Sequence, residues 1–174
     1  MASGKLPHIW QTLTETPFEN GEAVERWVAT QFERLQKTGL DHRAEMDATF
    51  AQASVVEILE RLELAADEWA RHTAQTLRTR SPLMLHVVLE QIRRARTLSL
   101  ADDLRMERDL VRHCFALRPV AHSETVEGIR ALAIDKDHAP RWQPAAIEQV
   151  TPDQVAAFFV SPWSADLHPL RGLV

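Results

Sequence analysis

Apolar residues in this sequence recur at spacings of three and four, and no segment alternates apolar and polar residues convincingly enough to be a strand. This period places apolar side chains on one face of an α-helix, so the sequence predicts an all-α fold. Residues 20–39 show the pattern clearly. The apolar face of the helix predicted there carries Val24, Trp27, Val28, Phe32 and Leu35.

Most predicted helices begin at a residue whose side chain can accept a hydrogen bond from a free backbone N–H. Gly39 is placed to end the first helix, and a later one is expected to run from about Val126 to about Asp135. In the helix that follows Ser99, Leu100, Leu104, Val111 and Cys114 face one way. The predicted N-terminal caps are Asp41, Ser54, Ser81, Ser99 and Thr151.

Composition excludes several classes of protein. The five glycines are isolated, so there is no phosphate-binding loop, dinucleotide fingerprint or GxSxG elbow. Lys and Arg number 20 against 25 Asp and Glu, a net charge of -5, and the basic residues are scattered, which disfavours nucleic acid as a partner. No apolar stretch approaches the length of a membrane span. Cys114 is the only cysteine, which favours a reducing, cytoplasmic compartment over a disulfide framework.

Chemically reactive residue types are present, but their spacing predicts no catalytic residue and no metal site. None of the eight histidines pairs with another at a helical metal-binding spacing. His113 and Cys114 are adjacent and would point about 100° apart on a helix, so core packing is expected for the thiol. The basic residues Arg78, Arg80, Arg93, Arg94 and Arg96 could neutralise a phosphate or form solvated helix ends, whereas Glu124, Glu127, Asp135 and Asp137 are expected to be surface charges.

Three segments resemble one enzyme family closely. They are SPLMLHVVLEQIRR at residues 81–94, LRMERDL at residues 104–110, and VEGIRALAIDKD at residues 126–137 followed by Pro140 and Trp142. Together they look like the C-terminal region of 3-hydroxyisobutyryl-CoA hydrolases, which belong to the crotonase superfamily. We therefore predict a helical segment over residues 1–80 and the family's C-terminal helical region over residues 81–174.

The resemblance implies an acyl-CoA thioesterase of valine catabolism that needs no cofactor besides its CoA thioester substrate. The family's Gly-rich oxyanion loop has no counterpart here, so the resemblance implies that catalysis requires an N-terminal β-α spiral core. Expected partners are acyl-CoA and that core, or a self-associating copy of the chain. A fragment of an enoyl-CoA hydratase or isomerase, and a stand-alone helical interaction module, stay open as alternatives.

The resemblance also implies a role for the VEGIRALAIDKD motif, which in relatives covers the CoA site. Arg130 and Lys136 are therefore expected to bind the acyl-CoA substrate. Gly128 lies in a predicted helix, where glycine is unfavourable by roughly 1 kcal/mol, so we expect another backbone to approach it closely. An exposed apolar patch is predicted on the isolated chain, with Trp142, Phe158 and Phe159 as candidates to line it.

Overall fold

The computed structural model describes residues 6–36 and 42–173, and within these ranges it contains helices and turns but no strand. The predicted all-α fold is therefore confirmed for the described part of the chain. Its α-helices are α1 (Leu6–Glu15), α2 (Gly21–Gln36), α3 (Arg43–Phe50), α4 (Val55–Leu64), α5 (Glu68–Arg78), α6 (Pro82–Ala95), α7 (Leu100–Ala116), α8 (Glu124–Ile129) and α9 (Pro152–Ala156). Shorter 3-10 turns cover Val120–His122, Ile147–Gln149 and Ala157–Phe159, and a π-helical turn covers Arg130–Ile134.

The helix starts predicted from side-chain caps are confirmed where the structure describes them. The hydroxyls of Ser54, Ser81 and Ser99 each accept a hydrogen bond from the backbone N–H three residues later, and Pro82 opens α6. Thr151 and Gln154 form a reciprocal capping box. Such caps depend only on neighbours in sequence, which is why they can be read from it.

The helix predicted over residues 20–39 is confirmed from Gly21 to Gln36. Its predicted end at Gly39 and the next cap at Asp41 lie outside the described residues, as do the side chains of Phe32 and Leu35. The structure also contains α1, which lies within the helical segment predicted over residues 1–80 but has no separate prediction of its own.

Compact packing divides the chain into Met1–Asp47 and Ala48–Val174. In the first unit Phe18 meets Trp27 edge to face, with ring centroids 5.8 Å apart. The second unit holds α4 and α5 together with the motif region. The boundary after residue 80 marks where the family motifs begin, and as a domain boundary it stays a prediction.

Two apolar clusters form the core of the second unit. The first joins α4 and α5 to the turn at Ile147, and its most buried side chains are Leu59 and Leu62. The second joins α6, α7 and the turn after α9 through Leu83, Val87, Leu110 and Phe158. Burying each such side chain contributes roughly 1.5–3 kcal/mol, so these clusters hold α6 and the motif region in place.

Within the described ranges, no helix is both long enough and apolar enough to cross a membrane.

The chain's last segment is irregular, as predicted, but it is firmly attached to α7. His168 is buried and its Nε2 lies 3.0 Å from the Oδ1 of Asp109, while its Nδ1 accepts a hydrogen bond from the Leu170 N–H. An imidazole nitrogen that accepts carries no hydrogen, so Nε2 is the donor to Asp109. Arg105 donates to the carbonyls of Leu170 and Leu173, which ties the rest of the segment to the same helix.

Candidate functional site

The region from α6 to Trp142 encloses a groove of about 630 Å³, called the motif groove below. Its walls are mainly apolar and include Val88 from α6, which is 45% exposed, and Leu132 from the π-helical turn, which is 66% exposed. The residues that line it are Thr79, Arg80, Ser81, Met84, Leu85, Val88, Glu124, Thr125, Gly128, Ile129, Ala131, Leu132, Ala133, His138, Pro140 and Trp142.

Not all of the residues predicted to line an exposed apolar patch do so. Trp142 lines the motif groove, and its indole Nε1 donates to the carbonyl of Thr79 at 3.2 Å. Phe158 is the wrong candidate because it is 3% exposed and packs in the second core cluster. Phe159 is half-buried and lies under the guanidinium of Arg94, 4.2 Å from its ring centre. Helical periodicity does not show which side of a short terminal helix faces the core, so it could not make this distinction.

Gly128 faces the indole ring of Trp142, so the prediction of a close backbone neighbour is wrong. A Cβ placed on Gly128 would lie 3.4 Å from Trp142 Cη2 and 3.8 Å from Cζ3. These are ordinary van der Waals distances, and the helical backbone at Gly128 has a negative φ. Alanine would therefore fit at this position.

At one edge of the motif groove, a buried carboxylate joins three segments of the chain. Glu124 accepts hydrogen bonds from the Ser81 hydroxyl, from Nη1 of Arg118 at 3.3 Å and from the Gln143 N–H at 3.0 Å. Its side chain is only 4% exposed, so the expectation of a surface charge is wrong for Glu124. Burial of a carboxylate is tolerated here because both of its oxygens accept hydrogen bonds, one of them from a guanidinium. The sequence identifies Ser81 as a cap but gives no indication of its second partner.

The predicted substrate-binding residue Arg130 is the centre of an ion-pair network inside the motif. Nε and Nη2 donate to the two carboxylate oxygens of Glu127 at 2.9 and 2.7 Å. Nη1 donates to Asp135 at 2.6 Å and Asp137 at 2.7 Å, and Nη2 also donates to the Ala139 carbonyl at 3.1 Å. All five N–H donors of the guanidinium are thus used within residues 127–139.

This network changes the titration of its acidic members. The hydrogen bonds from Arg130 and from the Arg141 N–H lower the pKa of Glu127 to about 2. The pKa of Asp137 is also lowered, first by the hydrogen bond from the Ala139 N–H and then by Arg130. The carboxylates of Glu127 and Asp137 therefore stay ionised well below neutral pH and do not serve as proton donors there.

Lys136, the second predicted substrate-binding residue, lies on the loop that the network holds. Its backbone has a φ of 54°, and that of His138 has a φ of 53°, both in the left-handed region that non-glycine residues seldom adopt. The Lys136 side chain is exposed, and the described residues provide no partner for its ammonium. The loop therefore presents the ammonium of Lys136, which has no partner among the described residues, beside the guanidinium of Arg130, whose donors are all used.

The other candidate chemistries of the sequence do not converge on this groove. His113 donates from Nε2 to the Val160 carbonyl at 2.7 Å, whereas Cys114 packs against the second core cluster, as expected for a structural thiol. Of the predicted basic group, Arg78 pairs with Glu63 and Glu148 and only Arg80 lines the groove. Across residues 6–36 and 42–173, no three His, Cys, Asp or Glu side chains are arranged to hold a metal ion.

Comparison with known proteins identifies relatives of this arrangement. A family model described as enoyl-CoA hydratase/isomerase matches residues 1–159. Two curated relatives are named 3-hydroxyisobutyryl-CoA hydrolase, mitochondrial. The one from Dictyostelium discoideum is 40% identical over 121 residues, covering 68% of this chain and 30% of the relative. The one from Gallus gallus is 30% identical over 159 residues, covering 88% and 40%. The chain thus spans well under half the length of these relatives.

Solved structures show the same relationship. A carnitinyl-CoA dehydratase from Mycobacterium thermoresistibile superposes with a TM-score of 0.63 at 27% identity, covering 91% of this chain and 44% of that one. An enoyl-CoA hydratase from Rhodobacter sphaeroides 2.4.1 superposes with a TM-score of 0.62 at 26% identity, covering 88% and 51%. The helical fold described above therefore corresponds to about half of a larger enzyme chain in each case.

Proposed function

Because the chain belongs to the enoyl-CoA hydratase/isomerase family, we propose that it is the helical C-terminal part of an enzyme that hydrolyses 3-hydroxyisobutyryl-CoA. The observation that carries this proposal is the match to curated relatives of that name. The family match over residues 1–159 includes the motif groove. The products would be 3-hydroxyisobutyrate and CoA, a step of valine catabolism. No cofactor is needed for this reaction beyond water and the CoA thioester.

The motif groove supports a role in shaping the substrate pocket but not in the chemical step. Thioester hydrolysis requires donors aimed at the developing oxyanion and a group that activates water. Glu124, the carboxylate that lines the groove, is 4% exposed and uses both of its oxygens to hold Ser81, Arg118 and the Gln143 N–H, which is a structural role. We therefore propose that this chain supplies no catalytic residue and that the reacting groups come from an N-terminal crotonase core.

The geometry suggests different roles for the two predicted substrate-binding residues. Coenzyme A carries phosphate groups, to which a free ammonium is attracted as a point charge. The ammonium of Lys136 has no partner among the described residues, whereas every donor of Arg130 is in use. We propose that Lys136 contacts the phosphates of CoA directly. Arg130 then contributes by holding the loop at residues 135–139 in the shape that presents Lys136.

The proposal is tested by adding the N-terminal crotonase core to the chain. The 174-residue chain is purified and assayed for release of the free CoA thiol from 3-hydroxyisobutyryl-CoA, alone and after mixing with, or fusion to, the N-terminal half of a hydrolase relative. We expect no activity from the chain alone and measurable activity from the combination. One oxyanion donor is typically worth roughly 100- to 1,000-fold in rate, so the difference should be large. Robust hydrolysis by the chain alone, in a preparation free of host thioesterase, would refute the proposal.

Two other functions are distinguished by the same preparation. The solved neighbours are named as a dehydratase and a hydratase, so an enoyl-CoA hydratase or isomerase reaction is the enzymatic alternative. It predicts turnover of an enoyl-CoA instead of thiol release by the combined protein. A stand-alone helical interaction module, the third possibility, predicts that no combination with a core is active on either substrate.

The compartment also stays a prediction. A single free cysteine suits a reducing environment, from which the sequence predicts the cytoplasm. The curated relatives carry the word mitochondrial in their names, which applies to those proteins.

A further inference from the structure

A second cleft lies on the side of α6 opposite the motif groove. It encloses about 300 Å³ between α6, the start of α4 and the short helix α9, and is called the α6 cleft below. Each residue advances about 100° around a helix, so His86 and Arg93 of this cleft project from nearly the same face, whereas Val88 of the motif groove projects about 160° away from His86. Among the described residues, none lines both the cleft and the groove.

Two arginines from the last turn of α6 line this cleft, and each keeps unused donors. Nη2 of Arg93 donates to the Gln52 carbonyl at 2.9 Å, which fixes the guanidinium beside the start of α4. Nε of Arg94 donates to Glu90 at 2.7 Å, and its guanidinium lies over the ring of Phe159. Nε and Nη1 of Arg93 and both terminal nitrogens of Arg94 have no partner among the described residues. These N–H groups are therefore free to bind a ligand.

The side chains that line the α6 cleft carry a net positive charge. Arg93 and Arg94 contribute two positive charges and Glu90 contributes one negative charge. His86 contributes none at neutral pH, because burial lowers the pKa of its imidazole, whose Nε2 lies 3.2 Å from the Ile147 carbonyl. The planar fork of a guanidinium matches the oxygens of a phosphate group in a bidentate geometry. The charge and the free donors therefore favour an anion, and a phosphate in particular.

We propose that the α6 cleft binds a phosphate group through the free N–H groups of Arg93 and Arg94. The phosphate is either inorganic or part of a small organic molecule, because the cleft is larger than a phosphate ion and Leu89 and Val155 give it apolar walls. This site is separate from the proposed contact between Lys136 and CoA, since the motif groove lies on the other face of α6. It accounts for two of the arginines that the sequence marks as candidates to neutralise a phosphate.

The experiment is isothermal titration calorimetry of the 174-residue chain with inorganic phosphate at pH 7 and low ionic strength. We expect a dissociation constant on the order of 1 mM, because the cleft is open and offers a small number of charge-assisted hydrogen bonds. Phenyl phosphate is titrated in parallel. Tighter binding of the ester would identify an organic phosphate as the preferred ligand, whereas equal or weaker binding would identify inorganic phosphate.

Three neutral substitutions test the residues assigned to the site. Arg93→Gln and Arg94→Gln are each expected to raise the dissociation constant roughly tenfold, as expected for the loss of a charge-assisted hydrogen bond. Arg96→Gln is the matched control, because Arg96 is exposed, carries the same charge and does not line the cleft. It is expected to leave phosphate binding nearly unchanged.

A fourth substitution should strengthen binding, a result that misfolding does not produce. Glu90→Gln removes the negative charge from the cleft and weakens the hold on Nε of Arg94, so we expect a lower dissociation constant. Circular dichroism checks the fold of each variant, and if Arg93→Gln loses its helical spectrum, Arg94→Gln and Glu90→Gln decide the result. A wild-type chain that binds no phosphate, equal weakening by Arg96→Gln, or Glu90→Gln without effect would each overturn the proposal.

Discussion

Glu124→Gln should destabilise the chain far more than its small change of shape suggests. The substitution keeps the size of the side chain and removes its charge. In the native structure the carboxylate accepts from a hydroxyl, a guanidinium and a backbone N–H, and is almost completely shielded from water. The glutamine replaces one acceptor oxygen by an NH2 group, which cannot accept a hydrogen bond from any of these donors.

The magnitude follows from the three hydrogen bonds. Those that involve a charged group contribute about 1.5–3 kcal/mol each, whereas neutral ones contribute about 0.5–1.5 kcal/mol. Losing about 1 kcal/mol at each bond gives a decrease in the free energy of unfolding of about 2–4 kcal/mol. Relaxation of the partly exposed Arg118 towards water favours the lower part of this range.

The assay is urea unfolding at pH 7, followed by tryptophan fluorescence and fitted for both the free energy of unfolding and its denaturant dependence. Glu63→Gln is the matched control because Glu63 pairs with Arg78 at a half-exposed site, where a salt bridge contributes about 0–1 kcal/mol. A Glu124→Gln variant within about 0.5 kcal/mol of the wild type, at unchanged denaturant dependence, would show that the buried cluster does not carry the stability assigned to it.

Three further predictions concern the motif. Gly128→Ala should leave the stability unchanged or raise it by up to about 1 kcal/mol in the same unfolding assay, because Trp142 leaves room for a Cβ; a large loss would contradict the contact distances. The Glu127 pKa is lowered from 4.5 to about 2, so its stabilising effect is fully present above pH 4.5 and is lost as the pH falls through 2. The free energies of unfolding of the wild type and of Glu127→Gln, measured as a function of pH, should therefore converge at low pH. A difference between them that does not change with pH would refute this assignment. In the enzyme restored by adding the N-terminal core, Lys136→Ala should raise KM and leave kcat nearly unchanged, as expected for lost binding. Arg130→Lys should raise KM and also lower the thermal stability. An unchanged KM for Lys136→Ala would contradict the proposed contact between Lys136 and phosphate.

The parts of the fold that could be predicted depend on neighbours in sequence. Ser54, Ser81, Ser99 and Thr151 each cap a helix through the backbone three residues later, so a short stretch of sequence contains the whole interaction. The end of the motif helix near Asp135 was predictable for a similar reason, although its last turn is π-helical instead of α-helical.

The parts that could not be predicted depend on contacts between distant segments. The burial of Glu124 depends on Ser81, which binds one carboxylate oxygen, and on Arg118 and the Gln143 N–H, which bind the other, and nothing in the local sequence indicates this. Substrate binding by Arg130 stays a prediction, and the sequence does not show that all of its donors are used, because this depends on the chain turning back at residues 135–139. On α7 the apolar period is clear, yet the structure turns Leu100, Leu104 and Val111 outward and buries Leu110.

The attachment of the last segment to α7 has a consequence for the design of shortened versions. The family match ends at residue 159, which would suggest that a recombinant domain could stop there. Such a protein would lack Val160 and His168, whose removal leaves His113 and Asp109 without their partners inside the fold. An expression boundary at residue 159 is therefore expected to give insoluble or protease-sensitive material, whereas one beyond residue 173 retains every one of these attachments.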